Sequence, residues 1–141
     1  MKNVLILMVF SAALGGCMSA QTPVRTAPSD WLRAELYFGV GAVSATGQEA
    51  DADAHEKRWR EFLDREVTPR FPDGLSVYDI YGQWHSQRHS DIERLHSKEL
   101  MMLYRDTPQH KADIEAIRSA WKKETGDESV LLVTQPAEVS F

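Results

Sequence analysis

Large apolar residues recur along the chain in two rhythms, separated by polar and proline-bearing breaks. Leu36, Phe38 and Val40 alternate with Tyr37 and Gly39, which predicts a strand over 33–40. Trp59, Phe62, Leu63 and Val67 fall at spacings of three and four, with Arg58, Arg60, Glu61, Asp64 and Arg65 between them. That predicts an amphipathic helix over 54–67, with Asp51 or Asp53 as its N-cap and Pro69 as its stop. Phe71-Pro72-Asp73-Gly74 is a turn signature, and 75–84 is then a strand with a bulge or a close backbone approach at Gly82. A third strand over 92–104 starts in alternation and ends in the run Leu100-Met101-Met102-Leu103-Tyr104. Asp106-Thr107-Pro108 opens a second helix whose buried stripe is Ile114, Ile117 and Trp121, closed by Gly126 after Lys122 and Lys123. The last strong strand is 129–134, interrupted at Pro136, with 139–141 as a short edge.

The order β-α-β-β-α-β predicts a ferredoxin-like α+β fold, a four-stranded antiparallel sheet with both helices on one face. The helical stripes cover that face. The runs at 100–103 and 130–133 then also place apolar side chains on the other face, which no helix covers. Such a face calls for a partner. A second copy of the chain gives a face-to-face homodimer, and a ligand cavity is the alternative.

The front of the chain reads as an address. Met1-Lys2-Asn3 is followed by an apolar run and then by Leu14-Gly15-Gly16-Cys17. The run is too short to span a bilayer, which needs about 20 residues, and it fits a signal-peptide core. Residues 14–17 resemble the bacterial lipobox, and Cys17 is the chain's single cysteine. The resemblance implies cleavage after residue 16 and lipid on Cys17, with several acyl chains for stable membrane anchoring. The chain is then read as 1–16 signal peptide, 17–30 lipidated cysteine and flexible tether, and 31–141 a single domain. The thirteen residues from Met18 to Asp30 reach roughly 20 Å as a flexible coil. This places the domain outside the cell membrane, facing the periplasm, and on the outer membrane if the cell is Gram-negative.

Charge narrows the partners further. The mature chain carries 15 basic against 21 acidic residues. No basic footprint for nucleic acid is present, and a lone cysteine excludes an internal disulfide.

Candidate chemistry gathers on the second and third strands. Period two puts Asp79, Tyr81 and Gln83 on one face and Tyr78, Ile80 and Trp84 on the other, unless a bulge at Gly82 exchanges them. Tyr81, Gln83, Trp84, Arg94 and Lys98 are the candidate ligand-binding residues, with Arg94 or Lys98 for an anionic ligand. The competing reading is ordinary cross-strand pairing. His85, His89 and His96 lack the spacing of a metal site. Ser97 and Lys98 are adjacent on a strand and point to opposite faces, so they form no dyad. Gly39-Val40-Gly41 is not a phosphate loop. No catalytic residue, metal or cofactor is assigned.

Leu36-Tyr37-Phe38-Gly39, the stretch from Val67 to Leu75, Tyr81-Gly82-Gln83-Trp84, Ser97-Lys98, Glu128-Ser129-Val130 and Val139-Ser140-Phe141 resemble a group of small secreted bacterial proteins known only as a domain of unknown function. The resemblance spans about 35–141 and implies export and frequent lipidation. It brings no activity and no catalytic residues. Two readings follow: a lipid-anchored, non-catalytic binding or accessory module of the envelope, and a small-molecule-binding protein or enzyme of the dimeric ferredoxin-like type with a pocket around Tyr81, Trp84 and Lys98. Whether the chain is an enzyme stays open between them.

Overall fold

The computed structural model describes residues 30–43, 51–85 and 92–140. The expected signal peptide, the lipidation candidate Cys17, most of the expected tether, His89 and Phe141 lie outside the described residues. The elements are β1 (Trp31–Ala42), α1 (Ala52–Phe62) with a π-helical turn (Leu63–Val67), β2 (Ser76–His85), β3 (Ile92–Arg105), α2 (Pro108–Thr125) and β4 (Leu131–Pro136). The strands form one antiparallel sheet in the order β2-β3-β1-β4. This is the ferredoxin-like α+β arrangement expected from the element order.

The core lies between the sheet and the helices. Phe38 of β1 is its centre, in ring contact with Trp59, Phe62 and Trp121 at centroid distances of 5.1, 6.0 and 5.3 Å. Ala34, Leu36, Phe38 and Val40 line up by period two, and Leu100, Met102 and Tyr104 of β3 continue the same layer. The other side chains of the apolar runs turn away. Leu131 and Val133 are exposed and Met101 and Leu103 half-buried, and no described helix covers them.

Local chemistry explains most element ends. Thr107 caps α2, its Oγ1 accepting a hydrogen bond from the His110 N–H at 3.1 Å, and Pro108 follows at the first turn. Gly126 ends α2 in the left-handed region at φ 81°. Asp51 precedes α1 but makes no side-chain cap, because it is itself left-handed at φ 57°. The first helix does not run as one α-helix to Val67. Its last turn widens, and the Thr68 N–H donates to the Leu63 carbonyl at 2.9 Å. The wider turn accommodates the five-residue step between Phe62 and Val67, both fully buried.

Of the two alternatives at Gly82 the close approach holds, a Cβ there meeting Ser97 Oγ at 2.8 Å, and the bulge does not. The β2–β3 register runs unbroken from Ser76↔Met101 to His85↔Ile92. The shift falls in β1, between Gly39 and Gly41, where Val40 is the additional residue. Pro136 closes β4 rather than interrupting it. Proline is acceptable there because β4 is an edge strand.

Candidate functional site

The unbroken β2–β3 register decides which candidates can meet. Val77, Asp79 and Tyr81 stand opposite Leu100, Lys98 and His96, and Ile80, Gly82 and Trp84 stand opposite Ser97, Leu95 and Glu93. Tyr81 and Trp84 are therefore on opposite faces of the sheet, and no pocket holds both. Lys98 shares the helix side with Leu100, away from Trp84. A single site around Tyr81, Trp84 and Lys98 does not form. Parity forbids it once Gly82 is not a bulge.

Lys98 is instead part of an ion cluster. Its side chain is almost fully buried, and Nζ donates to Glu56 Oε2 at 2.7 Å and to Asp79 Oδ1. His96 Nε2 lies 3.5 Å from the same Asp79 oxygen. Burial alone would lower the Lys98 ammonium, but hydrogen bonds to Asp79 and Glu56 and their charges outweigh it and raise it above its ordinary value. The hydrogen bond from Lys98 holds both carboxyls below theirs. An ammonium held this way ties α1 to the hairpin. It is not a nucleophile.

Of the other candidates Trp84 alone points to the open sheet face, while Gln83 and Arg94 share the parity of Lys98. A pocket of about 460 Å³ lies over the far end of β1, and its lining includes Gln83 and Trp84. Tyr81, Arg94 and Lys98 are not among its lining residues. Arg94 is exposed on β3 opposite Gln83.

Two glycines set the pocket floor. A Cβ on Gly39 would meet Leu95 Cδ1 at 2.9 Å, and one on Gly82 would meet Ser97 Oγ at 2.8 Å. The side chains of β3 lean over bare backbone on either side, which keeps the floor low and flat. Trp84 forms a wall, its Nε1–H donating to Glu93 Oε2 across the strand pair at 3.0 Å. Tyr37 contributes a second ring, and its hydroxyl donates to Glu35 at 3.1 Å.

The last side of the pocket comes from a distant part of the chain. The β1–β4 ladder ends at Tyr37↔Leu131, so Phe38–Ala42 runs on without β4 beside it. The segment after α2 contributes Asp127, Glu128 and Ser129 to the lining there. Gly126 turns the chain, and Asp127 Oδ2 accepts the Trp121 Nε1–H at 2.8 Å. That oxygen is 3.8 Å from where a Gly39 Cβ would stand. Burial pushes the Asp127 carboxyl above its ordinary range, the indole and the Thr125 hydroxyl pull it back, and the negative charge of Glu93 adds to the rise. Sequence reasoning found Trp84 and Gln83 but missed Gly39, Glu93 and Asp127. The available signals were two glycines inside strand patterns and a carboxylate directly after a helix-stopping glycine.

A family model for proteins of unknown function, DUF3574, matches residues 33–141. The chain belongs to this family. The match covers almost all of the folded domain and agrees with the resemblance drawn from the motifs. Comparison with curated proteins gives no match. Among solved structures, the fold is similar to a phage SAM lyase in complex with S-methyl-5'-thioadenosine. The TM-score is 0.56 at 12% identity, covering 82% of this chain and 88% of that one. CutA from Synechococcus elongatus PCC7942 is more remote, with a TM-score of 0.44 at 12% identity over 79% of this chain and 80% of that one. At this identity the lyase likeness concerns the fold, not the site.

Proposed function

We propose that this DUF3574 protein is a lipid-anchored envelope module that binds a small ligand in the open-face pocket. The observation that carries the reading is the pocket itself. Its floor is kept low by Gly39 and Gly82, its wall is an indole fixed by Glu93, and a remote carboxylate closes it. Concave sites of a few hundred Å³ with aromatic walls and few polar groups are the usual form of small-molecule sites. Glu93 and Asp127 hydrogen-bond the indoles of Trp84 and Trp121, an arrangement that supports holding a ligand more directly than transforming one.

The placement of the pocket suits an anchored receptor. The tether joins the domain just before Trp31, and Gly39 lies eight residues further along β1. At about 3.3 Å per residue the pocket is about 26 Å from the tether end. Lipid on Cys17 would hold one end of the sheet toward the membrane and leave the pocket facing away. No helix among the described residues is long and apolar enough to cross a membrane. Replacing Cys17 with Ser tests the anchor: the protein should move from the membrane to the soluble fraction, and unchanged fractionation refutes lipidation.

The same open face supports a homodimer. Tyr78 and Val133, outside the pocket lining, are large, apolar and exposed on it, and a second copy would cover them. Native mass spectrometry of the detergent-solubilised mature protein tests this, and the same spectrum would show a retained ligand. A strictly monomeric species at tens of micromolar overturns the dimer.

Filling the floor tests the site. Gly82→Val should remove ligand binding while the amide spectrum stays folded. Retained binding of any ligand shown to occupy the pocket would defeat the assignment.

A further inference from the structure

We infer that the open-face pocket selects a compact aromatic cation. The inference rests on the pocket being a ligand site and adds the chemistry of its occupant. The pocket brings together three acidic residues, Glu93, Asp127 and Glu128, against one basic residue, the exposed Arg58. Glu93 and Asp127 come from opposite sides, one from β3 and one from the segment after α2.

The hydrogen-bonding character of the walls points the same way. The Trp84 indole N–H is spent on Glu93 and the Trp121 indole N–H on Asp127. Each of these carboxylates accepts through one oxygen there, and an ionised carboxylate has about four acceptor positions. The lining therefore includes carboxylate acceptors and the Trp84 and Tyr37 rings beside the Gln83 amide and the Ser97 and Ser129 hydroxyls, while Trp121 stays in the core behind Asp127. An aromatic cation uses the acceptors and the rings, its own ring over the flat floor of Leu95 and Ser97 and its charge near the carboxylates. Asp127 is a partly desolvated acid that also feels the negative charge of Glu93, and a cation in the pocket would be attracted by both. An anion would be repelled by both.

Three probes of one ring system and different charge test the inference on the mature protein: tryptamine, 3-methylindole and indole-3-propionate. Binding is followed by amide chemical shifts of the pocket residues and by calorimetry at neutral pH. Tryptamine should bind about tenfold or more tighter than indole-3-propionate. Glu93→Gln and Asp127→Asn keep an acceptor for each indole, so the walls stand. Each should weaken tryptamine by about three- to tenfold and 3-methylindole by less than about twofold. Equal or tighter binding of the propionate, or tryptamine binding indifferent to both substitutions, overturns the cation preference while leaving a pocket that binds indoles. If none of the three shifts the pocket amides up to about 10 mM, the ligand site and the cation preference fall together.

Discussion

Lys98 of β3 reaches across to Glu56 of α1, with Nζ 2.7 Å from Oε2. This contact joins two elements far apart in the sequence, and Asp79 completes it from β2. The lysine is buried, whereas the Glu56 and Asp79 side chains are 37% and 66% exposed. Water therefore screens both carboxylates but not the ammonium.

Replacing Lys98 with Met should destabilise the fold by about 1–3 kcal/mol. That is less than for a fully buried pair, because the orphaned carboxylates can hydrate. Urea unfolding of the protein measures it. A loss indistinguishable from zero would show that the cluster contributes nothing net.

The cluster should also give the protein an acid limb. Glu56 and Asp79 are held below their ordinary values by Lys98, so the unfolded state binds protons more readily. Their stabilisation is present above the unfolded carboxylate range of about 4 and is lost as pH falls through the lower folded values. Lys98 is raised, so its share persists below its unfolded value of about 10.4 and is lost as pH rises through the folded one. Stability followed against pH should fall at both ends in the wild type, and Lys98→Met should flatten both limbs.

Asp127 should behave with the opposite sign. Burial raises its folded value, so the fold binds the proton more tightly than the unfolded chain does. Its destabilising share is present above the folded value and disappears as pH falls to the unfolded one. Asp127→Asn should remove that share, so the variant should gain on the wild type at neutral pH and lose the gain in acid. Asn still accepts from Trp121. An identical pH profile for the two proteins would contradict the burial argument.

Phe38 should be among the costliest single truncations. It touches Trp59, Phe62 and Trp121 at once, and Phe38→Ala should lose about 3–5 kcal/mol. Thr107→Ala, which removes one cap hydrogen bond, should lose about 1 kcal/mol. Thermal unfolding of the two variants should rank them in that order.

Filling the glycine floor separates binding from stability. The atoms a Cβ would meet at Gly39 and Gly82 are side-chain tips, Leu95 Cδ1 and Ser97 Oγ, which can move. Gly39→Ala and Gly82→Ala should therefore change stability by under about 1 kcal/mol, since strand glycine is itself unfavourable by a similar amount. The shape of the pocket should change in both. A collapse of the fold in either would mean the glycines serve packing alone.

The sequence by itself determined the architecture. Period-two and period-3.6 patterns, the Pro69 and Gly126 stops and the Thr107-Pro108 start are local signals, and each sits where its element begins or ends. The candidate site was half legible for the same reason. Trp84 and Gln83 stand out in a strand pattern, whereas Glu93, Gly39 and Asp127 gain meaning only from what faces them. What the tertiary structure alone decided was parity and proximity. The unbroken register at Gly82, with the bulge at Val40 instead, leaves Trp84 on the open face and Lys98 in the helix layer, because a one-residue change of register exchanges the faces of a strand. The end of β4 pairing at Tyr37 leaves the rest of β1 free to meet Asp127. That is a contact between segments distant in the chain, and no local pattern encodes it.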